Sequence, residues 1–255
     1  MQTVAVEWPW LHQHAGKKLM LNITNAQAHE FFVDHWTVYR KVVDGNYMFH
    51  REMYAEVERR LAASPGQPPR LLDLGCGDAG RIAPRLARLN LSGYVGVDLS
   101  AVALEWAAGN LAVLGCPVEL YEAEMLDWLR RETGEYGAIF SSFALHHLQT
   151  SEKQEFLRLC QKRLIPGGQM LLVDVMRDDH QALPAYLDAY CGLMERDWQG
   201  LNRQELDFII DHVRGNDVPD PVADTLRMAL TAGFTRAESI LQRTFHHLLC
   251  LETAA

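Results

Sequence analysis

Cysteine is sparse and unpatterned in this chain. Its five cysteines, Cys76, Cys116, Cys160, Cys191 and Cys250, are odd in number and include no C-x-x-C pair. That excludes a disulfide framework and a cysteine-based zinc site, and fits buried thiols in a reducing compartment. Basic charge is also short: 24 Lys and Arg against 33 Asp and Glu leave a formal net charge of −9. A nucleic-acid binder usually carries a basic stripe, so this balance disfavours nucleic acid as a partner. No apolar run approaches the roughly 20 residues that a bilayer crossing needs. The opening MQTVAVEWPWLHQHAGKKLM lacks the basic start and apolar core of a signal peptide. The expectation is a soluble cytoplasmic protein with no membrane attachment, no resident metal, and a monomeric or homodimeric state.

What is present is an ordinary globular composition, with 48% hydrophobic and 22% charged residues over 255 positions, enough for one α/β domain with an insertion. Residues 1–63 have helical patterning at Ala26–Tyr39 and Tyr47–Leu61, and Ser64-Pro-Gly-Gln-Pro-Pro69 then breaks the chain because proline cannot continue a helix. From Arg70 strands and helices alternate. Strands are expected at Arg70–Leu74, Gly93–Leu99, Pro117–Glu122, Tyr136–Ser141 and Gln169–Val175. Helices are expected at Gly80–Leu89, Ala101–Leu114, Met125–Arg131 and Ser151–Arg163. Short apolar strands separated by helices indicate a parallel sheet covered on both faces. Residues at about 177–215 are helical without a strand-like run and read as an inserted cap. A helix over Asp220–Ala232 ends at Gly233, and Phe234–Ile240 and Phe245–Leu251 read as a closing antiparallel hairpin.

Between the first strand and its helix, Gly75, Gly77 and Gly80 spell G-x-G-x-x-G, the pattern of a nucleotide-binding turn. Glycine serves there because it tolerates positive φ and lets a ligand approach the backbone. Asp98 ends the second strand, 23 positions after Gly75, where a carboxylate accepts hydrogen bonds from ribose hydroxyls. These two features fit a nicotinamide nucleotide and S-adenosylmethionine equally. Three others separate them. Asp73, two residues before the first glycine at the mouth of the site, suits a cationic amino-acid cofactor and would repel a pyrophosphate. Glu124 and Met125 follow the third strand and offer an acid for an adenine amino group and an apolar face for its ring. The closing hairpin also departs from an all-parallel dinucleotide fold.

With these residues the chain resembles the class I S-adenosylmethionine-dependent methyltransferases. Asp73-Leu-Gly-Cys-Gly77 is similar to their first motif, Gly96-Val-Asp98-Leu-Ser100 to their ribose-binding motif, and Glu124-Met125 to their adenine-binding position. Ser141-Ser-Phe-Ala-Leu-His-His-Leu148 resembles the segment after strand four and Leu164-Ile-Pro-Gly-Gly168 the turn before strand five. The resemblance covers residues 70–175 and, more loosely, the hairpin. It implies a Rossmann-like seven-stranded sheet in the order 3-2-1-4-5-7-6 with strand seven antiparallel. A methyltransferase domain is then expected over 70–255, with residues 1–63 as a helical lid. The implied cofactor is S-adenosylmethionine, leaving S-adenosylhomocysteine as product. Asp73, Gly75, Cys76, Gly77, Asp98, Leu99, Glu124, Met125 and Ser141 are the expected cofactor residues.

Methyl transfer from a sulfonium is an in-line displacement, in which the protein mainly aligns nucleophile, methyl and sulfur, excludes water and removes a proton where needed. The candidate base is His146, with His147 as a second substrate-side candidate, because imidazole titrates near neutral pH. Tyr39, Tyr47 and His50 are lid candidates; an aromatic face favours a positive sulfur. His246-His247 reads as a strand pair with one ring exposed, and Asp178-Asp179-His180 as the cap of the next helix. Tyr186, Tyr190, Arg196 and Trp198 are candidate pocket walls, but a Trp or Tyr at helical spacing is more often core, so none is assigned to the site. The function expected is methyl transfer to a nitrogen or oxygen of a small-molecule acceptor. The alternatives are a tRNA or protein methyltransferase, and a catalytically silent cofactor-binding partner subunit.

Overall fold

The structure is a computed structural model that describes residues 37–64 and 66–255; the expected helix at 26–39 lies mostly outside them. Seven strands form one sheet: β1 (Arg70–Leu74), β2 (Gly93–Asp98), β3 (Val118–Glu122), β4 (Tyr136–Ser142), β5 (Leu164–Val175), β6 (Arg236–Arg243) and β7 (His246–Glu252). Their order is β3-β2-β1-β4-β5-β7-β6. The first five pair in parallel, and β7 runs antiparallel to both β5 and β6. The helices are α1 (His50–Ala62), α2 (Ala83–Leu86), α3 (Ala101–Leu111), α4 (Met125–Arg131), α5 (Thr150–Arg163), α6 (Leu183–Asp197), α7 (Arg203–Asn216) and α8 (Val222–Ala232). Among the described residues, no helix is long and apolar enough to cross a membrane.

The chain divides into two compact units. One takes the residues up to Met48 with Pro184–Asp217, and the other takes Phe49–Leu183 with Val218–Ala255 and holds the whole sheet. The period-2 alternation of strand side chains builds this second unit from both faces. Leu72, Leu74, Val95, Ile139, Met170 and Leu172 point to one side, where Phe156, Leu157 and Cys160 of α5 and Met228 and Ala229 of α8 cover them. Leu71, Tyr94, Ala138, Phe140, Leu171 and Val173 point to the other, under Met53, Tyr54 and Val57 of α1 and Ala107 and Leu111 of α3. Leu71, Leu72, Leu171 and Leu172 are each 0% exposed. Truncating any of them to alanine costs about 2–5 kcal/mol.

Local chemistry sets the helix ends. The Ser100 hydroxyl accepts from the Ala103 amide at 3.2 Å, and the Glu124 carboxylate from the Asp127 amide at 2.8 Å. Gly233 closes α8 at φ 108°, a left-handed conformation that glycine adopts without a Cβ penalty. Three expected boundaries shift. The helix expected over Gly80–Leu89 shrinks to Ala83–Leu86. Asp78 Oδ1 takes the Gly80 amide into a tight turn, and i→i+3 bonds from Arg88 and Leu89 end the helix early. Strand β5 begins at Leu164, with a register shift where Gly167 turns at φ 73°. The hairpin pivots at Thr244-Phe245, since Arg243 pairs with His246 and Thr244 takes φ 49°.

His246 and His247 correct another expectation. Neither ring is exposed: they are 0% and 3% accessible, because β7 lies between β5 and β6 and both of its faces are covered. Asp179 does cap a helix, but a distant one: its Oδ1 accepts from the Ala223 amide in the first turn of α8 at 3.1 Å, not from the helix that follows it in sequence.

In the first unit, a helix over 37–44 precedes Tyr47, whose ring stacks on Trp198 at 5.3 Å and 13°. The Tyr47 hydroxyl accepts from the Gly200 amide at 2.6 Å, and Lys41 pairs with Glu205 at 2.5 Å. Asn202 and Glu205 form a reciprocal capping box at the start of α7. Tyr186, Tyr190 and Trp198 are buried, whereas Arg196 is a surface residue paired with Asp197.

Burial pushes the His50 imidazole down to about 3, with His246 adding repulsion, and burial pushes His246 down to about 4. Both are therefore neutral in the folded chain, whereas an unfolded histidine titrates near 6.5. The unfolded state binds the extra protons. The stability these groups contribute is full above about pH 6.5 and is lost as pH falls through about 4 and 3. Urea unfolding between about pH 7 and pH 5 is expected to show a falling midpoint, and His50→Phe a shallower fall. Equal slopes for wild type and variant would remove His50 as a source.

Candidate active site

Parallel strands β1, β2, β4 and β5 bring their carboxyl ends to one edge of the sheet, where an open α/β fold binds its ligand. At that edge the chain leaves β1 through Gly75 (φ 74°) and Gly77 (φ 53°). The amides of Gly75 and Cys76 both donate to the Val97 carbonyl, at 2.8 and 3.1 Å, folding the turn over the end of β2. A Cβ on Gly75 would lie 2.8 Å from the Ala144 side chain, so the segment after β4 closes on the turn only because residue 75 is glycine. Cys76 is buried, with its thiol pushed well up by burial and by the neighbouring Asp73 and Asp98.

Asp98 is half-buried and already engaged. Its Oδ2 accepts from the Gly77 amide at 2.8 Å and its Oδ1 from the Ser100 amide at 2.9 Å. Each oxygen keeps a second acceptor site, so holding the turn and receiving hydroxyl donors are compatible. Burial raises its pKa against the pull of these backbone donors. Leu99 beside it is half-buried.

Asp73 lies deeper than its sequence position suggests. It is 1% exposed within β1, behind the turn and not at its mouth. Tyr94, on β2, donates to Oδ2 at 2.7 Å, while Oδ1 has no hydrogen-bond partner. Burial pushes its carboxyl up to about 7; the Tyr94 bond opposes this and the Asp98 charge adds to it. A buried carboxylate oxygen without a donor is costly, and a cationic or N–H donor would relieve it. The positive-φ turn without Cβ atoms, the incompletely satisfied Asp73 and the carboxylate of Asp98 together fit an adenosine-bearing cation.

Three expected cofactor residues are occupied by structural work. Ser141 is 0% exposed, and its hydroxyl donates to the Leu74 carbonyl at 2.8 Å, locking β4 to β1 beneath the turn. Glu124 caps α4, and Met125, half-buried, packs against the core under α4.

Past β4 the backbone turns sharply at Phe143 (φ 54°), whose amide donates to Val173 at 2.8 Å, and enters a 3-10 turn over Leu145–His147. That turn delivers His146 to the end of β5. Its Nδ1 lies 2.5 Å from Asp174 Oδ1, and its amide donates to Asp174 Oδ2 at 3.0 Å. Asp174 is 1% exposed and also accepts from the Val175 amide. One carboxylate thus fixes both the main chain and the ring of His146. A carboxylate can only accept, so Nδ1 carries the proton of this bond. Asp174 was missed in the sequence; the available signal was a single acid inside the apolar strand Met170–Val175. The His147 ring lies tilted beside that of His146, centroids 4.0 Å apart at 56°.

His50 opens α1 and is 2% exposed, its ring 4.8 Å from Phe143 and 5.4 Å from Tyr54. Tyr54 in turn bonds the Ser142 hydroxyl at 2.8 Å. The sheet unit therefore gathers Asp73, Gly75, Cys76, Gly77, Asp98, Leu99, Ser141 and His146 at neighbouring strand ends, with His50 under Phe143. Tyr39 and Tyr47 belong to the other unit.

A family model described as "Methyltransferase domain" matches residues 71–168. An uncharacterized methyltransferase of Synechocystis sp. is 28% identical over 203 residues, 79% of this chain and 80% of its own length. A ubiquinone biosynthesis O-methyltransferase of Caulobacter sp. is 31% identical over 114 residues, 45% of this chain and 44% of that protein, so this match spans less than half of the relative. Among solved structures, magnesium protoporphyrin IX methyltransferase from Synechocystis with bound SAH superimposes with a TM-score of 0.57 at 16% identity. The match covers 88% of this chain and 94% of that one, a likeness of fold. The family-model match assigns residues 71–168 to a methyltransferase domain, and the strand order with the glycine turn tied to the end of β2 makes the chain similar in fold to the class I S-adenosylmethionine-dependent methyltransferases.

Proposed function

We propose that the chain transfers a methyl group from S-adenosylmethionine to an oxygen or nitrogen of a small-molecule acceptor, by in-line displacement with His146 as general base. The observation that carries this reading is the His146–Asp174 pair, two residues beyond the Ala144 that closes on the glycine turn. A hydroxyl acceptor must lose its proton as it attacks, and a neutral imidazole oriented by a buried carboxylate is suited to take it. When bound, S-adenosylmethionine supplies a methyl group already activated on a sulfonium. Asp98 is assigned to the ribose hydroxyls, the Gly75–Gly77 backbone to close approach, Asp73 to the positive amino-acid end, and Met125 to the adenine face.

The likeness to the ubiquinone biosynthesis O-methyltransferase of Caulobacter sp. points the same way, toward oxygen on a small molecule. The formal charge of −9 provides no surplus of cations for a phosphate backbone. A lid role for residues 1–63, with Tyr39, Tyr47 and His50, and a substrate role for His147 belong to the same proposal.

Three outcomes test it. Asp98→Ala is expected to weaken S-adenosylhomocysteine binding at least about tenfold in titration calorimetry, or ~1.4 kcal/mol, with the far-ultraviolet spectrum retained. Unchanged affinity would take Asp98 out of the site.

Asp73 titrates at about 7, so its charge is largely absent at about pH 6 and present at about pH 8. Its folded pKa is raised, so its contribution to stability is full at low pH and is lost as pH rises through about 7 in the ligand-free protein. Affinity for S-adenosylmethionine should move oppositely, rising with pH as the carboxylate forms. A flat affinity profile in Asp73→Asn completes the expectation; the same slope in both proteins would sink it.

Finally, His146→Ala and Asp174→Asn should each lower kcat by about 10²–10⁴ while S-adenosylhomocysteine affinity stays within about twofold. Normal turnover in both variants, across a panel of phenolic and amine acceptors, would exclude a base at this position.

A further inference from the structure

Lys153 is a buried cation that the reaction does not require. It stands on α5, 2% exposed, and its ammonium donates to the Val218 carbonyl at 2.5 Å and to Asp220 Oδ2 at 2.7 Å. Burial lowers its pKa and Asp220 resists this; Asp174 also favours its charge, and Arg177 opposes it. A lysine in such a place is a poor source of stability, because desolvation offsets the attraction and an apolar residue of similar volume often serves as well. Its position is more informative than its energy.

Residues 218–221 form a strap that is held at every step. Arg177 donates through Nε to the Pro219 carbonyl at 2.7 Å, and its amide donates to the Asp220 carbonyl at 3.1 Å. Thr150 donates to Asp220 Oδ1 at 3.3 Å. Arg177 and Pro221 form a parallel bridge, and the Val222 amide returns to the Arg177 carbonyl at 3.2 Å. Pro219 and Pro221 further limit the backbone, since proline fixes φ.

The strap has one outlet toward the site: the Val218 amide donates to the His146 carbonyl at 2.9 Å. The same Val218 residue receives Lys153 on its carbonyl, so the ammonium is separated from the His146 main chain by a single residue. On its other side, the His146 amide donates to Asp174. The main chain of His146 is thus gripped from two directions, by Asp174 on β5 and by the strap that Lys153 fastens to α5.

We propose that Lys153 is a positioning residue for methyl transfer: through Val218 and Asp220 it holds the strap that sets the His146 main chain, and with it the ring bond to Asp174. This rests on His146 acting as the base. Loosening the strap lets the 3-10 turn drift, and a displacement of about 1 Å at a reacting group costs on the order of 10² in rate. Among the described residues no hydrogen bond joins residues 75–77 to residues 218–221, so cofactor binding is left alone.

The test uses the full chain with Lys153→Met, Lys153→Arg and Asp220→Asn. The spectroscopic readout is the downfield ring N–H proton resonance of His146, assigned by its loss in His146→Ala. Lys153→Met is expected to broaden or abolish that resonance and to lower kcat by about 10- to 100-fold. KM and S-adenosylhomocysteine affinity should stay within about threefold. Lys153→Arg, which keeps a donor of similar reach, should restore much of both. Asp220→Asn should weaken the resonance in the same direction, and it decides the matter if Lys153→Met does not fold. A resonance unchanged in the folded variants overturns the proposal, as does a loss of cofactor affinity equal to the loss of kcat, which marks general unfolding. If His146→Ala turns over normally, the base assignment fails, and the resonance in the Lys153 variants still judges the strap.

Discussion

The docking of the glycine turn onto the end of β2 is the constraint on which the rest of the site depends. Two consecutive amides share the Val97 carbonyl, and the third residue of the turn gives its amide to Asp98. That arrangement requires positive φ at Gly75 and Gly77 and leaves no room for a Cβ against Ala144. Because the turn sits low, the segment after β4 passes close over it, and the 3-10 turn that follows carries His146 to β5. The cofactor loop and the candidate base are therefore two ends of one steric fit.

The same edge of the sheet concentrates buried charge. Asp73, Asp98 and Asp174 all lie at or near strand ends, each with different partners: a tyrosine hydroxyl, two backbone amides, and a histidine. Desolvating a carboxylate is expensive, and each is tolerated because neighbours supply hydrogen bonds. Asp73 is the exception in degree, with one oxygen unsatisfied and its carboxyl raised to about 7. Incomplete satisfaction of a buried carboxylate is a cost to the ligand-free fold. Lys153 shows the complementary case, a buried cation bonded to two acceptors, whose bonds serve geometry.

Apolar runs of five to seven residues bounded by glycine and proline were legible as strands. The family resemblance carried by the glycine motif, the acid ending β2 and the segments after strands three and four implied the strand order that the sheet adopts. A local helix end was legible too, at Gly233. Pairings between distant residues were not. Asp174 reads as one acid in an apolar strand until the sheet brings it to His146, 28 positions earlier. His246 and His247 look like an inward and an outward residue, because alternation says which faces differ and not whether both are covered. Asp179 looked like a cap for the nearest helix and serves α8 instead.

By itself, then, the sequence determined the periodicities, the glycine positions that tolerate left-handed backbone, and hence the architecture and the class of cofactor. These depend on neighbours within a few positions, where composition and spacing carry the physics. The tertiary structure alone decided the depth of Asp73, the hold of Asp98 on the glycine turn, the Asp174 that orients His146, and the Lys153 strap behind it. Each depends on desolvation and on hydrogen bonds closed across strands and helices, and no local pattern encodes which donor will meet which acceptor once water is removed.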